Sequence, residues 1–252
     1  MFFNEGMEIS SEDLENISKK LSKFGEPLGL EFHIFCIGWY NNKVENKFKL
    51  DFPSQTLAFC VVSSPKFFEN SFLPFIESWG FELLNDPFDQ CMISKYDQLK
   101  GLFSDYNVET IHDFELHSNR RPKLLVQSAG HVSGAAFYYQ KQNVESNPWK
   151  DKRIYGVSNH PKYGGWFGFR GALILKDVLV PFLKYKEPVD LLSEKQKVEL
   201  LERFNFNWKD WTFRDVRNES NERYSELQQK YFQMKPSERK ELFTKKIDNL
   251  KN

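Results

Sequence analysis

Long apolar runs are missing from this 252-residue chain. No stretch approaches the roughly eighteen apolar residues that a membrane-spanning helix needs, and Met1–Ser10 lacks the basic stretch and apolar run of a secretory leader. The expectation is a cytoplasmic protein that does not engage a membrane. Net charge is missing as well. Thirty-five basic residues balance thirty-five acidic ones, so no long-range field collects nucleic acid, and the partner should be a small molecule or a protein. Cysteine is scarce, and Cys36, Cys60 and Cys91 are odd in number, widely spaced and set among hydrophobic neighbours. They read as reduced core thiols, not as disulfides or a metal cluster. There is no C-x-x-C, no H-E-x-x-H and no glycine-rich dinucleotide fingerprint after a strand, which argues against a zinc enzyme and against a dinucleotide site of the common kind. No Pro/Gly/Ser-rich linker divides the chain, so residues 1–252 are expected to form one domain.

Aromatic residues are present in excess. They make up 16% of the chain, with 25 Phe, which leaves apolar surface for a large cavity as well as for packing. Ser10 to Lys23 predicts an amphipathic helix with serines at its start, acidic residues in its first turn and Leu14, Ile17 and Leu21 on one face. Phe32–Trp39 and Thr56–Ser63 are β-branched and aromatic and predict strands, after which Ser64-Pro65 opens a helix carrying Phe68, Phe72 and Phe75-Ile76. Cys91–Tyr96, Val108–Phe114 and Ile154–Asn159 are shorter strand candidates. Trp166–Leu175 is almost continuously apolar and reads as a central strand. From Ser193 onward three helical patterns follow without repeating, the last begun by Pro236-Ser237. This order suggests an α+β fold with a helical C-terminal region.

Two segments carry candidate chemistry. With Pro122 as first helical residue, Arg121–Gln140 predicts a helix that puts Leu124, His131, Ala135 and Tyr138 on one face. Glycine and alanine beside His131 keep that face shallow, with room for a broad flat ligand. About thirty residues later comes Tyr163-Gly164-Gly165-Trp166-Phe167-Gly168-Phe169-Arg170-Gly171. Arg170 stands in its most apolar part, where a guanidinium needs a hydrogen-bonded anionic partner. That partner is either an internal carboxylate or the carboxylate of a ligand held bidentately.

These residues also carry a resemblance. From about Gly25 to Lys240 the chain resembles the cblC-type cobalamin-processing family, through Trp39-Tyr40-Asn41, Asp86-Pro87-Phe88-Asp89-Gln90, Asn119-Arg120-Arg121-Pro122-Lys123, Trp149, Phe204-Asn205-Phe206-Asn207-Trp208 and Asp210-Trp211-Thr212-Phe213-Arg214-Asp215. The family's H-x-x-G…G-G cobalamin mark falls on His131, Gly134, Gly164 and Gly165. The resemblance implies a nitroreductase-like, mostly antiparallel central sheet with helices packed round it. It implies an enzyme that removes the upper ligand of cobalamins, by glutathione-dependent dealkylation and by reductive decyanation; a chaperone that only holds and hands on cobalamin is the alternative. His131, Tyr138, Gln140, Gly156, Gly164, Gly165, Trp166 and Phe169 are thereby expected around a base-off cobalamin, His131 by binding and not by ligating cobalt. Arg170, Arg214 and Arg239 are expected to hold glutathione, with Arg170 and Arg214 acting in catalysis. A free thiol of pKa about 8.5 is mostly protonated at neutral pH, so cationic neighbours would activate as well as orient it. FMN or FAD is implied as a possible electron donor, a cblD-type adaptor as a protein partner, and a monomer or ligand-dependent homodimer as the assembly state.

Overall fold

In the computed structural model, residues 6–80, 86–217 and 222–243 are described. A short strand β1 (Met7–Glu8) leads to helix α1 (Ser11–Gly25). Ser10 caps that helix by accepting from the Asp13 N–H at 3.1 Å while the Asp13 carboxylate accepts from the Ser10 N–H at 3.0 Å. Strand β2 (Leu30–Cys36) follows and gives way to a short helix α2 (Ile37–Asn41), so the predicted strand stops before Trp39. Strand β3 (Thr56–Ser63) has the predicted bounds and is buried at all eight positions. A π-turn (Phe68–Phe72) runs into α3 (Leu73–Trp79).

Helix α4 (Pro87–Leu102) corrects the strand expected at Cys91–Tyr96. Pro87 occupies its first turn, and its buried residues Phe88, Cys91, Met92, Tyr96 and Leu99 follow helical spacing. Strand β4 (Val108–His112) precedes α5 (Val126–Val132). That helix is a third of the length expected from Arg121 to Gln140. Gly134 takes a left-handed φ of 74° just beyond it, the usual way a helix ends, and the aromatic run Phe137–Tyr139 then forms strand β5. Tyr138 is therefore on a strand, and Leu124 lies before the helix. Strand β6 (Val157–Asn159) pairs with β5 as a two-stranded sheet. The long β7 (Gly168–Leu179) precedes α6 (Glu194–Asn207) and α7 (Glu226–Gln233), and Pro236–Glu238 forms a 3-10 turn where the third C-terminal helix was expected to begin.

Strand β7 organises the main sheet. It pairs antiparallel with β3 and β4 and parallel with β1, while β2 pairs antiparallel with β3 at the far edge. Both faces are covered. Phe59, Val61 and Leu173 point into one core, completed by α1, α3 and α4, and Ala58, Cys60, Val62 and Ile174 point into a second, closed by α2 and α5. A third core joins the small sheet to α6 through Tyr139, Val157, Leu200 and Phe213. Cys36, Cys60 and Cys91 are buried and unpaired. Burial pushes their thiols up, Cys36 to about 11 and the other two to about 12. Among the described residues no helix is long and apolar enough to cross a membrane.

Candidate ligand cavity and its arginines

A cavity of about 870 Å³ opens where the small sheet, the start of β7 and the C-terminal segment meet. It lies toward the upper end of small-molecule sites, about 300–1,000 Å³. Tyr138 lines it from β5, Tyr155 and Gly156 from the segment leading into β6, Phe167 from the residue just before β7, and Gly168 and Arg170 from the start of β7. The remaining wall is C-terminal and mostly aromatic, including Phe204, Trp208, Trp211, Tyr224 and Phe232, with Arg214 among them. Trp211 holds a left-handed φ of 63°, a conformation a bulky residue adopts only when its surroundings impose it.

Arg170 reaches the cavity through a defect in the ladder. Val61 pairs with Gly171 and Val62 with Phe169, which leaves Arg170 as the extra residue of a β-bulge. Bulges re-aim side chains. The guanidinium lies over the Phe88 ring at 4.6 Å, and its Nε donates to Ser63 Oγ at 2.8 Å. The nearest carboxylate is Asp113, 3.9 Å from Nη1. This contact is long for a bidentate pair, so the internal partner leaves most of the fork's donors free. Two glycines permit the arrangement. A Cβ on Gly168 would come within 2.4 Å of the guanidinium, and Gly171, at φ 116°, would bring one within 1.9 Å of the Ile111 carbonyl oxygen.

Arg214 is placed by the glycine pair. A Cβ on Gly165 would lie 2.6 Å from the Arg214 Cα, and one on Gly164 would lie 2.8 Å from its carbonyl oxygen. Both residues must be small for the backbones to meet. The Gly165 N–H donates to that carbonyl at 2.9 Å, and the Arg214 guanidinium donates back to the Gly165 carbonyl. The guanidinium stands near four rings, with Trp211, Phe213 and Tyr224 at 4.9–5.1 Å and Trp166 at 5.5 Å. Desolvated cation–π contacts of this kind fix a charge in place. Trp166 is itself anchored by donating to Asp215 at 2.6 Å.

Arg239 is half-buried, with its guanidinium over Tyr231 at 4.6 Å. Phe88 touches both Tyr231 and Phe232, so Arg170 and Arg239 rest on one aromatic cluster. Beside them burial raises the Asp89 carboxyl to about 6, with Asp86 and Asp113 adding to the rise and the two arginines opposing it.

The helix-derived residues sit differently from the expectation. Both nitrogens of His131 are engaged: Nδ1 accepts from the Tyr138 N–H at 3.2 Å, which leaves Nε2 to donate to Glu187 at 3.0 Å. Its imidazole holds α5 to β5. Gln140 hydrogen-bonds the Tyr138 hydroxyl, whose pKa is raised by burial, and Gly156 leaves room for the Tyr138 ring, which a Cβ would meet at 2.5 Å. Phe169 turns to the other side of β7, against Gly130 and the second core. The cavity thus unites Tyr138, Gly156, Arg170 and Arg214, with Trp166 and the glycine pair behind Arg214. His131, Gln140, Phe169 and Arg239 lie outside its immediate lining. Sequence reasoning did not assign Tyr155, Trp208, Trp211, Tyr224 or Phe232 to a site. The signal available for Trp208 and Trp211 was an exposed-aromatic density in a charged segment, which points to a ligand wall only once the fold is known.

Known proteins are similar to this chain in sequence and in fold. A sequence profile of the methylmalonic aciduria and homocystinuria type C family matches residues 29–243. A Gallus gallus protein named cyanocobalamin reductase / alkylcobalamin dealkylase is 46% identical over 226 residues, 89% of this chain and 94% of that one. The Homo sapiens protein of the same name is 44% identical over 214 residues, 84% of this chain and 76% of its own length. The crystal structure of a Caenorhabditis elegans B12-trafficking protein, CblC, superposes with a TM-score of 0.83 at 32% identity, covering 92% of this chain and 96% of that one. The chain belongs to the methylmalonic aciduria and homocystinuria type C family.

Proposed function

We propose that this protein removes the upper axial ligand of cobalamins, dealkylating alkylcobalamins with glutathione and decyanating cyanocobalamin. The observation that carries the reading is the convergence of Arg170 and Arg214 on one large aromatic cavity, in a chain 44–46% identical to proteins named for these activities. Glutathione has two carboxylates, and guanidinium forks are the side chains best shaped to take them. The same cations favour the thiolate. The protein's own thiols are unsuited to attack, because burial holds all three far above neutral pH.

In dealkylation the thiolate sulfur forms a bond to the cobalt-bound carbon, the cobalt–carbon bond breaks, and its electron pair stays on the metal. The products are cob(I)alamin and a thioether. The chain contributes alignment and a water-poor wall; cobalt contributes the hard chemistry. Cobalamin is bound base-off, and with both His131 nitrogens engaged that imidazole does not replace the displaced base. For decyanation the electrons come from a reduced flavin, FMN or FAD, or from another donor; a flavin would be held through the fold or would arrive on a partner, since no glycine-rich dinucleotide fingerprint follows a strand in the sequence. A cblD-type adaptor is the protein partner of this reading, and the cytoplasm its location.

The test is turnover of methyl-labelled methylcobalamin by substoichiometric protein with glutathione, followed by mass spectrometry. The expected product is labelled S-methylglutathione in excess over protein. Cobalamin that binds base-off but never loses its methyl group would identify a chaperone instead.

A further inference from the structure

Away from the cavity, three ligating side chains cluster: Glu31, His33 and His160 bring donor atoms within 4.8 Å of one another. Such a trio suits a divalent metal in composition, but the protons are in the wrong place. His160 Nδ1 accepts from the backbone N–H groups of Lys162 and Tyr163, at 3.1 and 3.3 Å. A neutral imidazole then carries its proton on Nε2, the atom facing Glu31, and has no lone pair there for a metal.

The carboxylate is the centre of the cluster. Glu31 Oε1 accepts from the Tyr163 hydroxyl at 2.5 Å, and Oε2 lies 3.1 Å from His33 Nε2 and 3.4 Å from His160 Nε2. The His160 and Tyr163 rings stack on each other at 4.6 Å. His160 is 3% exposed, and its backbone closes a tight turn with Gly164 through N–H···O bonds of 2.7 and 3.0 Å. One side chain on edge strand β2 therefore clamps the turn that ends in the glycine pair, and that pair seats the Arg214 backbone.

We propose that Glu31 is a positioning residue for thiol use: through His160 and Tyr163 it sets the height of Gly164–Gly165 and so the place of the Arg214 guanidinium. The inference rests on the assignment of Arg214 to glutathione made above. Glutamine at position 31 keeps the shape but presents one oxygen and one NH₂ where the carboxylate presents two acceptors. Either the His160 Nε2–H faces a donor or the Tyr163 hydroxyl loses its acceptor.

The experiment is a double-mutant cycle in full-length protein, with methylcobalamin as substrate and glutathione varied. Glu31→Gln should raise the glutathione KM roughly three- to tenfold with kcat at saturating thiol little changed. Tyr163→Phe, which retains the ring, should act in the same direction. In an Arg214→Gln background Glu31→Gln should add less than about twofold, because the two residues act in series. An equal loss in both backgrounds would show a general structural effect and overturn the proposal. So would a wild-type KM in Glu31→Gln and Tyr163→Phe beside an impaired Arg214→Gln, and that result leaves the thiol reading standing. If Arg214→Gln itself has a wild-type KM, the thiol reading falls and this inference with it. Equimolar Zn²⁺ that raises the melting temperature of wild type but not of Glu31→Gln would make the cluster a metal site and refute the positioning role.

Discussion

Replacing Arg170 by glutamine separates the ligand role of this arginine from its internal one. In the folded protein the side chain is 13% exposed and makes one close hydrogen bond, to Ser63, which an amide can partly reproduce. The Asp113 contact is 3.9 Å long and the carboxylate is 28% exposed, so it resembles a surface pair worth about 0.2–1 kcal/mol. Stacking over Phe88 adds about 1 kcal/mol. The folded state should then lose about 1–2 kcal/mol, a fall in melting temperature of roughly 2–8 °C for a chain of this size. A charged hydrogen bond to a ligand carboxylate is worth more, about 1.5–3 kcal/mol, or roughly tenfold to a hundredfold in rate. Dealkylation of methylcobalamin measured against glutathione concentration, alongside a thermal melt, compares the two. The expected result is a large fall in kcat/KM for glutathione with cobalamin affinity retained and a modest loss of stability. A folded variant with wild-type glutathione dependence would refute the assignment, and a variant that fails to fold would show that the bulge needs the internal contacts instead.

Gly171→Ala places a methyl group against the Ile111 carbonyl at a φ only glycine tolerates, and should cost about 3 kcal/mol or more, roughly 6–12 °C in a thermal melt. Changing Cys36, Cys60 and Cys91 together to alanine or serine should leave the yield of S-methylglutathione per folded molecule unchanged; label appearing on the wild-type protein and not on glutathione would contradict this. Asp89→Asn has a pH signature. The folded-state pKa, about 6, is above the ordinary 3.8 because burial opposes the charge, so the wild-type contribution is favourable below about pH 4 and is lost as pH rises through 6. The variant should therefore melt about 2–4 °C above wild type at pH 8, with the difference vanishing near pH 4; a constant difference would mean that charge is not the cause.

The long apolar strands were the most legible part of the sequence. Thr56–Ser63 and the apolar stretch of β7 are buried on both faces and read as continuous hydrophobic runs. Cys91–Tyr96 looks like a strand in isolation; the helix signal is Pro87, four residues before Cys91, which starts α4. Periodicity extends the helix around His131 through Gly134 because a small residue fits the helical face there; the left-handed φ that ends the helix at Gly134 is not visible in the spacing. At the site, the composition around Arg170 showed that a buried guanidinium needed a partner, but the bulge that turns it into the cavity is a property of pairing with β3 and cannot be seen in one strand alone. The glycine pair was recognisable as a motif. Its physical reason, the approach of Arg214 from about fifty residues away, was not.

The walls of the cavity come from segments made at different stages of synthesis. The buried members of the second core all lie between Phe35 and Ile174, so that packing unit is complete in sequence before Phe204, Tyr224 and Phe232 have been translated. A nascent chain can thus pack this face of its sheet while the cavity still lacks most of its aromatic wall. The cavity is therefore complete only once Phe232 is in place, and a chain that stopped before Phe204 would carry the residues of the second core without most of the aromatic wall.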